Sequence, residues 1–272
     1  MRFGRTRARI RERDRGREGD EPPDPSPSIL PLYSPAVTND PVLAVCLDAG
    51  NTLIHSDPPP HVIYADHLSR HGRPVAPAEV GVAFREAWDE MQLETEPGAD
   101  RYGSLPGGER AWWGAFVRRV LHRLDHDAPW QPLLDELYAA FSRAEVWRAF
   151  PDTRPALARL SERGVALAVI SNWDRRLLRI LDDLELTGYF ATITVSSLEG
   201  VEKPDPEIFR RTLDRLGVAP HRALHVGDSP RDDCQGAAEA GLEAVLIDRH
   251  GLFPGEPWRR IASLAELLEL VL

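Results

Sequence analysis

Short apolar runs alternate with helical patterns through the second half of this 272-residue chain. The runs, each of four to six residues, lie at positions 42–47, 166–170, 192–195, 223–226 and 244–247. Helical patterns separate the later runs, at positions 153–163, 175–186, 206–216 and 231–240. Buried strands that alternate with helices of this length predict an α/β fold, in which a parallel sheet carries helices on both faces.

The interval between the first two runs contains no convincing strand. It holds four helical patterns, at positions 62–71, 77–93, 108–125 and 132–141, and the loop sequence EPGADRYGSLPG interrupts them. A crossover of this size is too long for one helix, so we expect an inserted helical lobe. The predicted organisation is a tail at 1–40, an α/β core formed by 41–56 and 148–272, and a helical lobe at 57–147.

The first 40 residues differ from the rest of the chain. An arginine-dense stretch precedes the sequence EPPDPSPS, apolar periodicity is missing, and the prolines prevent a continuous helix. We therefore expect a disordered tail, without the apolar segment that a secretory signal needs. The alternative interpretation is a basic arm that contacts nucleic acid or an acidic partner, but interspersed acidic residues dilute its charge.

Charge, hydropathy and cysteine content narrow the class of protein. The net charge of −10 at pH 7 disfavours a nucleic-acid binder that coats phosphates with a basic face. No apolar stretch approaches the ~18 residues that a membrane helix needs. The two cysteines, Cys46 and Cys234, are too few for a disulfide framework or a cysteine-based zinc site. These observations together favour a cytoplasmic protein.

Polar residues follow four of the predicted strands. Asp48 follows the first, and Ser171 and Asn172 follow the second. Lys203 lies in the loop after the third, and the acidic sequence GDSPRDD follows the fourth. Because ligands of open parallel sheets bind beyond the carboxyl ends of the strands, these groups should meet at one edge. Carboxylates that hold Mg²⁺, beside a lysine and a hydroxyl that hold phosphate, fit this set of residues.

Lys203 supports a phosphate site independently, because it is the only lysine in the chain. Lysine binds phosphate as a compact point charge, whereas arginine presents a planar fork of donors. A chain that otherwise uses arginine throughout has a lysine at the end of a predicted strand, where a ligand is expected. A surface lysine placed there by chance is the weaker interpretation.

Four motifs carry a family resemblance. The sequences CLDAGNTL, VISN, EKPDPEIF and HVGDSPRDDCQGA resemble, in this order, the four motifs of the haloacid dehalogenase (HAD) superfamily of hydrolases. The resemblance extends over roughly residues 42–250 and implies a Rossmann-like core with a mobile cap. The helical lobe after the first motif would form that cap. The resemblance also implies Mg²⁺ as the cofactor and a small phosphorylated compound as the substrate.

The resemblance implies catalytic and phosphate-binding roles for individual residues. Asp48 corresponds to the nucleophile that forms an aspartyl-phosphate, and Lys203 assists it. Ser171, Asn172 and Lys203 correspond to residues that hold the phosphoryl oxygens. The metal would be bound by Asp48, by the backbone carbonyl of the residue two positions later, and by the acids of the fourth motif. These metal-binding residues are Asp48, Gly50, Asp228 and Asp233.

Gly50 departs from the pattern of the family's phosphatases. They usually have a second aspartate two residues after the nucleophile, and this aspartate protonates the leaving group. Gly50 keeps a backbone carbonyl but lacks this general acid, which typically contributes about 10² to 10⁴ in rate. Esters of poor leaving groups should therefore be affected most.

Two other activities of the superfamily also lack the second aspartate. Phosphonoacetaldehyde hydrolases form a Schiff base with a cap lysine, and residues 57–147 contain no lysine. Haloacid dehalogenases need no metal, and the three acids Asp228, Asp232 and Asp233 argue against them. We therefore expect a Mg²⁺-dependent phosphatase. The alternative is a phosphate-binding or regulatory protein that has lost turnover together with the acid.

Two features of the helical lobe lie outside the four motifs. The loop sequence GADRYGSL carries Arg101 and Tyr102, which would reach the site if the lobe closes over it. The alternative for this loop is an ordinary exposed turn. Trp112 and Trp113 point about 100° apart on a helix, so we expect one of them to be buried.

Overall fold

The structure, a computed structural model, describes residues 40–96, 98–103 and 105–271. The predicted disordered tail at 1–40 therefore lies outside the described residues, apart from Asp40. Within the described ranges, every helix falls short of the length and apolar character that crossing a bilayer requires.

Six parallel strands form the central sheet. They are β1 (Ala44–Leu47), β4 (Ala166–Ser171), β5 (Thr192–Val195), β6 (Ala223–Gly227), β7 (Glu243–Ile247) and β8 (Arg259–Ile261). Their order across the sheet is β5-β4-β1-β6-β7-β8, so that β1 is central and its neighbours come from distant parts of the chain. The predicted α/β fold with a parallel sheet is confirmed.

Helices follow the first strand and separate most of the later ones. The α-helices are α1 (Pro60–Arg70), α2 (Pro77–Glu94), α3 (Gly108–Arg123), α4 (Trp130–Ala140), α5 (Thr153–Glu162), α6 (Arg176–Asp183), α7 (Ser196–Glu199), α8 (Pro206–Leu216), α9 (Gly236–Glu239) and α10 (Leu264–Val271). Helix α8 begins where the sequence predicts it, because Pro206 suits a first helical turn and the Asp205 side chain accepts the N–H of Glu207 at 2.8 Å.

Alternate residues of β1 point to opposite faces of the sheet. Val45 and Leu47 pack in the apolar cluster that α5, α6 and α10 complete. Ala44 and Cys46 pack in a second cluster with residues of α8 and α9 on the other face. Burial raises the pKa of the Cys46 thiol to about 12, so this cysteine stays protonated as a small core residue.

Helices α1 to α4 form the helical lobe, which has an apolar cluster of its own. Phe116 is fully buried in this cluster and meets Phe84 edge-on, with ring centroids 4.8 Å apart. Trp112 is buried, whereas Trp113 is only partly buried, as adjacent helical positions predict. The lobe therefore has enough core of its own to be a compact insertion between β1 and β4.

The prediction that the interval between β1 and β4 lacks strands is wrong. Strands β2 (Ile54–Ser56) and β3 (Trp147–Ala149) pair antiparallel at the two ends of that interval. Three-residue strands are too short to show a periodic pattern, and the same applies to β8. The helix predicted at 231–240 also differs, since it opens with a π-helical turn at Pro230–Gln235 before α9.

Candidate active site

The carboxyl ends of the three central strands meet at one edge of the sheet. Asp48 follows β1, Ser171 ends β4 and Asp228 follows β6. The backbone N–H of Asp48 donates to the carbonyl of Val226 at 2.9 Å, which ties this residue to the neighbouring strand. The residues that follow four separate strands in the sequence are thus brought together, as the parallel topology requires.

Lys203 lies between two carboxylates. Its ammonium group donates to Asp48 Oδ1 at 2.7 Å and to Asp233 Oδ1 at 2.6 Å. Ser171 Oγ donates to the same Asp48 oxygen at 3.0 Å. These contacts hold the Asp48 carboxylate in one orientation, and its other oxygen, Oδ2, accepts no hydrogen bond from a described residue.

Burial and neighbouring charges of opposite sign shift the pKa values in opposite directions at Lys203, Asp48 and Asp233. Burial disfavours the charged form of Lys203, yet the carboxylates of Asp233 and Asp48 raise its pKa above the ordinary range. Burial raises the pKa of Asp48, and Lys203 only partly offsets that effect. Burial acts on Asp233 in the same direction, but Lys203 and His225 hold its pKa well below the ordinary value. The protonated lysine therefore forms an ion pair with both carboxylates.

The Asp233 side chain is anchored on three sides. Besides Lys203, it accepts hydrogen bonds from His225 Nε2 at 2.9 Å and from the backbone N–H of Ser229 at 3.0 Å. A Cβ atom at Gly227 would lie 2.0 Å from Asp233 Cγ, so this position of β6 requires glycine. Burial lowers the pKa of His225, which leaves a neutral ring with its proton on Nε2. A histidine within an apolar strand was the available sequence signal for this contact.

Three carboxylates offer a site for a divalent cation. One oxygen each from Asp48, Asp228 and Asp233 lies within 4.8 Å of the others. Burial, and then the charges of Asp48 and Asp233, raise the pKa of Asp228 to about 7. Asp228 Oδ2 accepts from Asn51 Nδ2 at 3.1 Å, while Oδ1 accepts from no described residue. Asp48 and Asp228 each keep one oxygen that accepts no hydrogen bond from a described residue. Such a pair of crowded carboxylates fits Mg²⁺, which prefers oxygen ligands and would relieve their repulsion.

The side chain of Asn172 contacts the backbone of Lys203. Asn172 Nδ2 donates to the Lys203 carbonyl and Asn172 Oδ1 accepts the Lys203 N–H, both at 2.7 Å. The amide therefore holds the loop after β5 against the end of β4. In this geometry Asn172 positions the backbone of the lysine through one amide N–H and the amide oxygen, and its second N–H makes no hydrogen bond to a described residue.

Gly50 lies next to an aromatic ring. Its backbone does not adopt the left-handed conformation, which the following residue, Asn51, adopts with φ of 54°. A Cβ atom at Gly50 would lie 3.4 Å from Cζ3 of Trp173, an ordinary van der Waals distance. The glycine is therefore not required by its backbone, and an indole ring stands beside the position that lacks the acid.

The interpretation of the GADRYGSL loop as an ordinary exposed turn is wrong. Arg101 and Tyr102 are each only 3% exposed. The Arg101 guanidinium group forms two hydrogen bonds to the Glu202 carboxylate, of 2.8 and 2.9 Å, and Glu202 directly precedes Lys203. A buried two-point ion pair thus joins this loop to the loop that carries the lysine.

Replacement of Arg101 by methionine should lower the free energy of unfolding by about 3–5 kcal/mol, because it leaves the Glu202 carboxylate buried without its counter-charge. Urea titration at pH 7 measures this loss. Arg110→Met is the matched control, since its partner Asp135 is exposed and the change should stay within about 1 kcal/mol. Equal losses in the two variants would contradict the assignment of a buried ion pair.

A cavity of about 560 Å³ lies between this edge of the sheet and the helical lobe. Asp48, Lys203 and Asp228 line it on the side of the sheet, and Trp88, Trp113 and Tyr138 are among the lobe residues that line it. The volume is typical of sites for small molecules. The acids and the lysine therefore face a partly open cavity that accommodates an organic ligand.

Comparisons with known proteins agree with this architecture. A model of the family described as haloacid dehalogenase-like hydrolase matches residues 42–241, so this chain belongs to that family of hydrolases. Haloacid dehalogenase-like hydrolase domain-containing protein 3 of Homo sapiens is 34% identical over 204 residues, which cover 74% of this chain and 79% of the relative. The phosphoserine phosphatase of Thermus thermophilus is 39% identical over 159 residues, which cover 57% of this chain and 64% of that enzyme.

A solved structure has the same fold. The HAD phosphatase of Thermococcus onnurineus superposes with a TM-score of 0.58 at 26% sequence identity. The superposition covers 84% of this chain and 97% of that chain. The predictions of the HAD family, of its fold and of a hydrolase are confirmed.

Proposed function

We propose that this chain is a Mg²⁺-dependent phosphatase that hydrolyses a small phosphorylated compound through an aspartyl-phosphate on Asp48. The observation that carries the proposal is the Asp48 carboxylate, held on Oδ1 by Lys203 at 2.7 Å and by Ser171 at 3.0 Å, with Oδ2 left free. A carboxylate that is held in place through one oxygen, while its other oxygen is free to attack, is suited to covalent catalysis. The phosphoserine phosphatase among the relatives supports phosphate esters as substrates.

In the proposed reaction, Asp48 Oδ2 attacks the phosphorus atom. The new bond forms while the bond from phosphorus to the ester oxygen breaks, and the ester oxygen leaves with the bonding electrons. Lys203, through its third N–H, and Ser171, whose hydroxyl would turn from Asp48 to the substrate, donate to the phosphoryl oxygens, where charge accumulates. Water then attacks the phosphorus of the aspartyl-phosphate while the bond from phosphorus to Asp48 Oδ2 breaks. The bonding electrons restore the Asp48 carboxylate, and the protons of the water leave on the released dihydrogen phosphate.

The proposed metal ligands are the side chains of Asp48 and Asp228 and the backbone carbonyl of Gly50, and Asp233, the third carboxylate of the cluster, would support the metal shell. When bound, Mg²⁺ would neutralise the charge that the phosphate and the carboxylates bring together. Asp233, anchored by His225 and Ser229, supports this arrangement and keeps Lys203 in place. The covering helical lobe corresponds in this proposal to the family's cap.

The proposal predicts that activity depends on the leaving group. Because Gly50 supplies no proton, acetyl phosphate and aryl phosphates should be hydrolysed far faster than phosphoserine or a sugar phosphate. Phosphate release by purified protein with Mg²⁺ measures this order. No Asp48-dependent turnover on any of these compounds would instead indicate a phosphate-binding protein.

Gly50→Asp should partly restore protonation of the leaving group. The neighbouring ring leaves space for a Cβ atom, and the backbone conformation accepts a side chain. Turnover of alkyl phosphates should rise at least tenfold, toward the about 10² to 10⁴ that a general acid typically contributes. Gly50→Asn is the matched control, since it has the same shape and no acidic proton. An equal gain in both variants would show that the carboxylic acid is not the cause.

A further inference from the structure

Aromatic rings form much of the cavity wall that faces Asp48. Four of the chain's seven tryptophans line the cavity, namely Trp88, Trp113, Trp147 and Trp173. None of the four is fully buried, so each has ring surface left to contact a ligand. Aromatic side chains bury a large apolar area and prefer flat aromatic partners.

The rings form a continuous wall from the sheet to the helical lobe. Trp173, beside β4, meets Trp147 edge-on, with ring centroids 5.0 Å apart. Trp147 lies 6.2 Å from Phe141, which lies 6.1 Å from Tyr64, and Tyr64 meets Phe84 edge-on at 5.4 Å. The wall begins at Trp173, beside Gly50, and so begins where the leaving group of a phosphate ester would lie.

Two of the three arginines that line the cavity, Arg176 and Arg101, are paired with carboxylates. Arg176 binds the fully buried Asp174 carboxylate through Nε at 2.8 Å and through a second guanidinium nitrogen, and it lies over the Tyr138 ring at 4.0 Å. Arg101 is paired with Glu202 in the same two-point manner. A second anionic group on the substrate would therefore compete with a carboxylate at either arginine.

We propose that the substrate is an aryl phosphate, the phosphate monoester of a phenol that has one ring or two fused rings. This inference rests on the proposed phosphatase function and names its substrate class. The aromatic wall binds the ring of the leaving group, beginning at Trp173. An aryl oxide also leaves without a proton, which agrees with the glycine at position 50.

The first test compares substrates of the full chain with Mg²⁺. Phenyl and 2-naphthyl phosphate have leaving groups of closely similar acidity, so that the added ring changes binding more than chemistry. KM for 2-naphthyl phosphate should be about 5- to 10-fold lower, the gain expected from about 50 Å² of additional buried apolar surface. Acetyl phosphate, which has no ring, reports the chemistry alone.

These substrates separate the two proposals. Asp48-dependent hydrolysis of acetyl phosphate with equal KM for the two aryl esters would overturn the aromatic substrate and leave the phosphatase intact. No turnover of any compound would overturn the phosphatase itself. A phosphotyrosyl peptide with a kcat/KM above that of 2-naphthyl phosphate would overturn the assignment to a small molecule.

Trp173→Leu tests the wall directly. It should raise KM for 2-naphthyl phosphate at least fivefold more than KM for acetyl phosphate. Trp130→Leu is the control, because Trp130 is also half-buried but stands outside this cavity, and both KM values should remain unchanged. Equal effects of Trp173→Leu on the two substrates would overturn the role of this ring.

A binding measurement with the unaltered protein does not depend on how the variants fold. Calorimetry with Mg²⁺ should show that 2-naphthylphosphonate, which is not hydrolysed, binds at least tenfold more tightly than methylphosphonate. Equal affinities would overturn the aromatic subsite.

Discussion

Replacement of Asp48 by asparagine should reduce phosphate release from aryl phosphates to the background level, a loss of at least about 10⁴-fold, as for other removed nucleophiles. The amide has the shape of the carboxylate but is too weak a nucleophile to form the phosphoryl intermediate. Release of inorganic phosphate in the presence of Mg²⁺ measures the loss. Asp214→Asn, which removes one exposed acid far along the chain, should retain full activity.

The same variant should keep its fold. Lys203 retains Asp233 as a partner at 2.6 Å, and the Asp48 amide oxygen can still accept the hydrogen bond from Ser171. Burial already opposes the charge of Asp48, so a neutral amide there should leave the melting temperature of the metal-free protein equal or higher. Substantial turnover by folded Asp48→Asn protein would show that another residue is the nucleophile.

Asp228→Asn should have opposite effects on activity and on metal-free stability. Activity should fall to background, because the variant lacks a charged oxygen ligand for Mg²⁺. Added Mg²⁺ should no longer raise the melting temperature, whereas it should do so for the unaltered protein. The two readouts together distinguish loss of metal binding from loss of the fold. Full activity of this variant with a chelator present would indicate a metal-independent dehalogenase.

The stability effect follows from the direction of the pKa shift. The pKa of Asp228 rises from 3.8 to about 7 on folding, so the folded protein retains this proton where the unfolded chain has released it. The raised pKa of Asp228 therefore contributes to stability in full below about pH 4, and this contribution is lost as the pH rises through about 7. Asparagine cannot ionise. At pH 8 without metal, the variant should be more stable by about 2 kcal/mol, since one pKa unit corresponds to about 1.4 kcal/mol and the partial exposure of Asp228 weakens the full shift.

The elements of the core could be predicted from sequence because their signals are local. The run at 192–195 and the helical pattern at 206–216 match β5 and α8 residue for residue. The convergence of Asp48, Ser171 and Lys203 could also be predicted, because the carboxyl ends of parallel strands meet at one edge of the sheet for any set of side chains. The short pair β2 and β3 was missed because three residues carry no usable period.

The partners of individual polar side chains could not be predicted in this way. The phosphate-binding role of Asn172 stays a prediction, and the sequence did not indicate that its side chain holds the backbone of Lys203, 31 positions away. Two interpretations of Arg101 were open, an exposed turn and a residue that reaches the site. Its buried partner Glu202 lies 101 positions away in the sequence. A hydrogen bond of this kind depends on how two loops approach one another, and no local pattern records that approach.

The sequence by itself determined the parallel sheet, the inserted helices, the family and the edge of the sheet at which the acids and Lys203 gather. Each of these follows from hydrophobic periodicity or from a short motif, and both are properties of neighbouring residues. Only the tertiary structure decided that Trp173 lies beside Gly50 and that aromatic rings from the sheet and the lobe line one cavity. The physical reason is that these ring contacts depend on how the lobe packs over the sheet. That packing is set by the two apolar clusters together, one at the sheet and one in the lobe, and not by neighbouring residues of the sequence.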